Sequence, residues 1–158
     1  DRKKTKVPGD GNCFFHSIAV FLNIKANYAR WLLKERQETV QQYRILNNGN
    51  QKALSECENW HHNGEWVDPE LLQVSANRHN VNIRVIEVPQ YMDGIDDKNF
   101  EPPTYWFKPQ YDQVSKGSVG EKSEWVIVFE VCDCNNSKQV KPNHFTPATE
   151  RKTRKGKY

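Results

Sequence analysis

Residues 9–18 read Gly9-Asp10-Gly11-Asn12-Cys13-Phe14-Phe15-His16-Ser17-Ile18. Asp, Gly and Asn form turns readily, and the apolar residues that follow (Phe14, Phe15, Ile18, Val20, Phe21, Leu22) carry a helical pattern. The stretch predicts a tight turn delivering Cys13 to the first turn of a helix over residues 13–24. A thiol there sits at the positive end of the helix dipole, which favours the nucleophilic thiolate. The same turn leaves backbone N–H groups at Gly11, Asn12 and Cys13 that can cradle an oxyanion. An N-cap turn followed by a buried structural cysteine fits these residues equally well, so the stretch alone leaves both readings open.

A cysteine nucleophile needs a histidine adjacent in space rather than in sequence. Asn143-His144-Phe145 follows a strong strand pattern near the other end of the chain. By itself His144 reads as an ordinary surface histidine. His16 shares a helix face with Cys13, one turn on, but its place near the helix start suits a structural contact better than a base. His79 falls near a predicted helix C-terminus, where a cationic side chain is favourable without any functional role.

Further helices are predicted over residues 27–47, with Tyr28, Leu32, Val40, Tyr43 and Leu46 at helical spacing, and over residues 51–59. The first ends at the turn-rich Asn47-Asn48-Gly49-Asn50. Asp68-Pro69-Glu70 opens another helix, with an N-cap carboxylate and Pro at the first helical position, ending near Asn80. Residues 81–88 alternate as a strand, and Pro89, Pro102 and Pro103 bound a loop. Residues 104–108 and 124–131 read as two more strands around a Gly-rich turn region at 116–120. The run Val126-Ile127-Val128-Phe129 suits a strand buried on both faces. Asn135-Asn136-Ser137 is a turn, and a short last strand carries His144. Helices first and strands later is an α+β order, without internal repeats.

The three blocks together resemble the ovarian-tumour (OTU) family of cysteine proteases. Asp10-Gly11-Asn12-Cys13-Phe14-Phe15-His16-Ser17 is similar to its nucleophile motif, and Asn143-His144-Phe145 to its C-terminal His-aromatic pair. Glu65 to Leu72, followed by Val81 to Ile86, is similar to its middle signature. The order and spacing agree over about residues 5–148. The resemblance implies a papain-like OTU fold, a small mixed sheet flanked by helices. It also implies thiol-dependent cleavage of isopeptide bonds after the Gly-Gly tail of ubiquitin, polyubiquitin chains or ubiquitin-like proteins.

By resemblance Cys13 is the nucleophile, His144 the base, and Gly11, Asn12 and Cys13 supply the oxyanion hole. Gly64, Glu65 and Trp66 wall the channel for the tail, with Glu65 facing an arginine of ubiquitin. Two positions depart from the family. An Asp or Asn usually stands two residues after the His; here it is Thr146, whose hydroxyl stabilises imidazolium less than a carboxylate does. Asp10 and Asn143 are the substitute candidates for the third role. The small residue that usually follows the loop Trp is Val67, which changes the groove. A ubiquitin-binding module that has lost catalysis is the alternative that Thr146 brings into view.

The chain has 158 residues, 36% of them hydrophobic, with net charge +3 and mean hydropathy −0.91, which suits one domain with a sizeable core. We expect the domain over residues 1–149 and a basic tail or linker over 150–158, and the absent initiator Met suggests a piece of a longer protein. No apolar run approaches the ~20 residues that span a bilayer. Basic residues and aromatics are not interleaved as nucleic-acid stacking platforms require. Cysteines at 13, 57, 132 and 134 have no zinc-knuckle spacing, and Cys57 with His61 and His62 would need distant segments to converge. No metal or cofactor is expected, a reducing cytoplasmic compartment suits the thiols, and a monomer is expected. Linkage preference and organism have no motif.

Overall fold

The computed structural model describes residues 2–89, 102–110, 123–131 and 143–150. The predicted turns at 116–120 and 135–137, Cys132, Cys134 and the basic run 151–157 lie outside the described residues. Within them the elements run β1 (Arg2–Lys4), α1 (Cys13–Leu22), α2 (Tyr28–Leu46), α3 (Gln51–Glu56), a 3₁₀ turn (Pro69–Leu71), α4 (Leu72–His79), β2 (Asn82–Pro89), β3 (Thr104–Phe107), β4 (Glu124–Val131) and β5 (His144–Glu150). The arrangement is α+β, and one sheet has strand order β1-β5-β4-β2-β3. β2 and β4 are parallel, and the other neighbours are antiparallel.

Asparagine sets several helix ends. Asn23 and Asn80 adopt left-handed backbone (φ 56° and 51°) at the C-caps of α1 and α4, and Asn27 does so (φ 53°) before α2. Asn tolerates this region better than most residues because its short amide bonds locally. That is why α1 stops at Leu22 rather than running to residue 24. Asn50 accepts a hydrogen bond from the Ala53 N–H at 3.2 Å and caps α3. Asp68 stands at the expected N-cap position but makes no capping hydrogen bond, and Pro69 opens a 3₁₀ turn before α4. Burial and the like charges of Glu70 and Glu56 push the Asp68 carboxyl up.

β4 is buried on both faces, as its β-branched run predicts. Trp125, Ile127 and Phe129 join the core under the helices, while Val126 and Val128 join Val88 and Ala148 on the opposite face. Phe145 bridges α1 to the sheet: its ring lies 5.2 Å from Phe14, edge-on, and 4.7 Å from Phe129. Phe21 stacks on Trp125 at 5.2 Å. This packing fixes the N-terminal turn of α1 against the start of β5.

The order of helices before strands has one exception. Arg2–Lys4 is a strand, paired antiparallel with the end of β5 so that Arg2 faces Glu150 and Lys4 faces Ala148. Thr5 N–H donates to the Pro147 carbonyl at 2.8 Å and extends the contact. A basic tripeptide has no apolar alternation to reveal it, and charged residues are what a sheet edge carries when further pairing is to be blocked. β5 runs through Glu150, one residue into the segment assigned to the tail.

Candidate active site

Cys13 is the first residue of α1 and 1% exposed. Its Sγ accepts a hydrogen bond from the Phe145 N–H at 3.4 Å. The residue beside His144 therefore touches the thiol, although the two lie at opposite ends of the chain. Ser17, one turn along α1, donates to the carbonyls of Cys13 at 2.9 Å and Phe145 at 3.3 Å. These bonds join the start of the helix to the strand at Phe145.

Burial pushes the Cys13 thiol up to about 11, with Asp10 adding to the rise. The N–H groups of Phe145, Phe14 and Cys13 itself oppose this without overcoming it. The helix-terminal position alone predicts the opposite direction; loss of solvent outweighs the dipole because a buried sulfur has no water to stabilise its charge. At neutral pH Cys13 is a thiol here. Burial lowers His144, while Glu130 and Asp10 raise it and Lys4 lowers it. His144 is half-buried, and its Nδ1 has no hydrogen-bond partner among the described residues.

Asp10 does not stand free. Its Oδ1 accepts from the Asn12 N–H at 2.9 Å and lies 3.3 Å from His16 Nε2. His16 in turn meets the Tyr28 hydroxyl through Nδ1 at 2.6 Å, a structural role consistent with its place in the helix. The Cys13 N–H donates to the Asp10 carbonyl at 3.1 Å. Two of the three expected oxyanion donors, Asn12 and Cys13, are thus held by Asp10 in this structure. Thr146, on the same sheet face as His144 by strand alternation, is buried beside Val128 in the register. Asn143 is exposed, immediately before β5.

The wall loop is built onto the nucleophile turn. An ideal Cβ on Gly11 would lie 1.5 Å from the Gly64 carbonyl oxygen. Asn12 Nδ2 donates to Asn63 Oδ1 at 3.1 Å, and Asn12 Oδ1 accepts from the Gly64 N–H at 3.3 Å. Gly64 has φ +85°, which favours glycine. Glu65 is exposed and Trp66 half-buried, while Val67 is buried in the core.

Arg36 is the site residue that sequence reading missed. It is 1% exposed and donates to the Trp60 carbonyl at 2.6 Å, the Gly11 carbonyl at 2.9 Å and Asn12 Oδ1 at 2.6 Å. Its guanidinium also lies 4.5 Å from the centroid of the Phe15 ring. Burial brings its pKa down to about 10, with Glu65, Asp10 and Cys13 opposing, so it remains charged at neutral pH. The signal was present: Leu32, Glu35, Arg36, Thr39, Val40 and Tyr43 form one buried stripe of α2, and charged residues on such a stripe need partners.

Other predicted groups fall elsewhere. His79 Nε2 lies 2.9 Å from Glu35 Oε1 at the end of α4. Cys57 is fully buried and donates to the Leu54 carbonyl at 3.5 Å, while His61 and His62 are exposed and face each other. They are not gathered into a ligand set. The group with metal-ligand convergence among the described residues is the exposed trio Glu56, Asp68 and Glu70. No helix among the described residues is long and apolar enough to cross a membrane.

No family model and no curated protein matches the chain. Solved structures do. The Hazara virus OTU bound to ubiquitin is 16% identical, with TM-score 0.58, and the match covers 96% of this chain and 83% of that one. The OTU domain of human OTUD1 is 14% identical, with TM-score 0.55, over 94% and 86% of the two chains. An OTU deubiquitinase from Wolbachia pipientis wMel bound to ubiquitin is 15% identical, with TM-score 0.54, over 95% and 96%. The chain has an OTU-like fold.

Proposed function

We propose that the chain is a cysteine hydrolase of the OTU type that cleaves isopeptide bonds after the C-terminal Gly-Gly of ubiquitin. The observation that carries the reading is the Phe145 N–H on Cys13 Sγ, which sets the start of the His-bearing strand against the first residue of α1. Similarity of fold to two ubiquitin-bound OTU structures supports the substrate class.

With Cys13 a thiol at rest, His144 acts as general base when substrate binds. The Cys13 proton passes to His144, and the sulfur forms a bond to the carbonyl carbon of the terminal glycine. The developing oxyanion is received by N–H groups of the 11–13 turn, released from Asp10 as the turn adjusts. His144 then gives its proton to the departing lysine amine, the carbon–nitrogen bond breaks, and water hydrolyses the thioester. Asp10 is a field and turn-shaping group in this reading. Gly64, Glu65 and Trp66 wall the channel, and its small-residue floor suits a Gly-Gly tail. No cofactor is needed, and the free thiol suits a reducing cytoplasm.

A second reading, a ubiquitin-binding module without turnover, is favoured by the raised Cys13 thiol and by Thr146 at the orienting position. Incubation with ubiquitin bearing a C-terminal thiol-reactive group separates the two. Mass spectrometry should show one ubiquitin added at Cys13 and none in Cys13→Ala. A folded protein that binds ubiquitin without adduct or turnover supports the module. One that alkylates with a small reagent yet neither binds nor reacts with ubiquitin overturns both.

A further inference from the structure

Strand register places Glu130 of β4 directly opposite His144 of β5. Directly opposed residues project on one face, with Cβ atoms about 4.5–5.5 Å apart. Their neighbours Phe129 and Phe145 are also opposed and meet ring to ring in the core beneath α1. Glu130 and His144 therefore share the other face, along with Thr146. Lys4, on the far side of β5, reaches Glu130 Oε1 at 3.9 Å. β1 and β4 flank β5 and Lys4 opposes Ala148, so this ion pair crosses the strand that carries His144 and holds the Glu130 carboxylate on that face.

We propose that Glu130 is the electrostatic partner of His144, supplying from the adjacent strand the negative charge that Thr146 lacks. It acts through its field rather than through a contact, since His144 Nδ1 has no hydrogen-bond partner among the described residues, and it stabilises the imidazolium formed when Cys13 gives up its proton. Lys4 moderates that charge from the opposite side. Asp10, from the turn before α1, is the other charged group that acts on His144. Glu130 and Asp10 raise His144 while Lys4 lowers it, the signs this arrangement requires. The inference rests on the hydrolase reading for its consequence, but the electrostatic pairing can be tested without turnover.

The test uses Glu130→Gln, Glu130→Asp and Lys4→Met in the full chain beside the unsubstituted protein. NMR titration of the His144 ring should give a lower pKa in Glu130→Gln and a higher one in Lys4→Met. With a fluorogenic ubiquitin C-terminal amide, Glu130→Gln should lower kcat about 10–100-fold with little change in KM. The limb of the pH profile that reports His144 should move to lower pH. Glu130→Asp should recover part of both. An unshifted His144 titration in folded Glu130→Gln overturns the proposal, whether or not the protein is active. No turnover and no ubiquitin adduct in the unsubstituted protein, with the titration shifted as expected, overturns the hydrolase reading and leaves the pairing supported.

Discussion

At Gly11 a methyl group would meet the Gly64 carbonyl oxygen at 1.5 Å. The obstacle is backbone rather than a movable side chain, so Gly11→Ala must push the 59–66 loop off the nucleophile turn. Overpacking of this kind costs about 1–3 kcal/mol. We expect a lower melting temperature by calorimetry and loss of the Asn12–Gly64 contact, with ubiquitin-warhead labelling of Cys13 falling further than stability. Labelling at the unsubstituted rate would show that loop and turn work independently. Arg36 makes the companion case. Arg36→Lys keeps a charge but replaces a planar fork with a point donor, and it leaves oxygens of Gly11, Asn12 and Trp60 short of hydrogens. Unsatisfied buried acceptors cost about 1–3 kcal/mol each, so denaturant melts should show a loss of several kcal/mol.

Elements differ in how openly they announce themselves. α1, α2 and β4 follow from local pattern because each carries enough apolar residues at the right period to define a face. Leu46 falls at the helical spacing of the α2 stripe but is exposed at 38%, because the stripe is completed by Glu35, Arg36 and Thr39 instead. β1 is invisible locally: its register comes from β5, almost the whole chain away. Cys13 and His144 stand out because their neighbours are unusual. The Arg36–Asn12–Gly64 clamp does not, since its members belong to three elements whose approach only the fold determines. Glu130 was hidden for the same reason: a strand glutamate gains meaning only from what lies opposite.

Across the whole molecule, acid acts in two steps. Burial lowers His144 below its ordinary 6.5, so the unfolded chain binds that proton more tightly. Stability is full above about 6.5 and falls as pH drops toward the folded value. Glu35 is 4% exposed, and burial alone would raise it. Hydrogen bonds from His79 and Arg78, with their charges, outweigh burial and hold it below its ordinary 4.5. Its contribution is present above about 4.5 and is lost as pH falls through the folded value. Melting temperature against pH should decline in two stages. Glu35→Gln should remove the lower stage and begin about 3 kcal/mol less stable at neutral pH, because Arg78 and His79 lose their buried partner. A single unchanged transition in that variant would rule out the Glu35 cluster as the lower step.

The pairing of Arg2 with Glu150 has a geometric consequence. β1 begins where β5 ends, so Arg2 and Glu150 lie side by side at one corner of the sheet. A unit with that shape can be spliced into a surface loop of a host protein without spreading the loop apart. It can also be joined from Glu150 to Arg2 and reopened at the Asn47–Asn50 turn without disturbing the packing of α1 on β5.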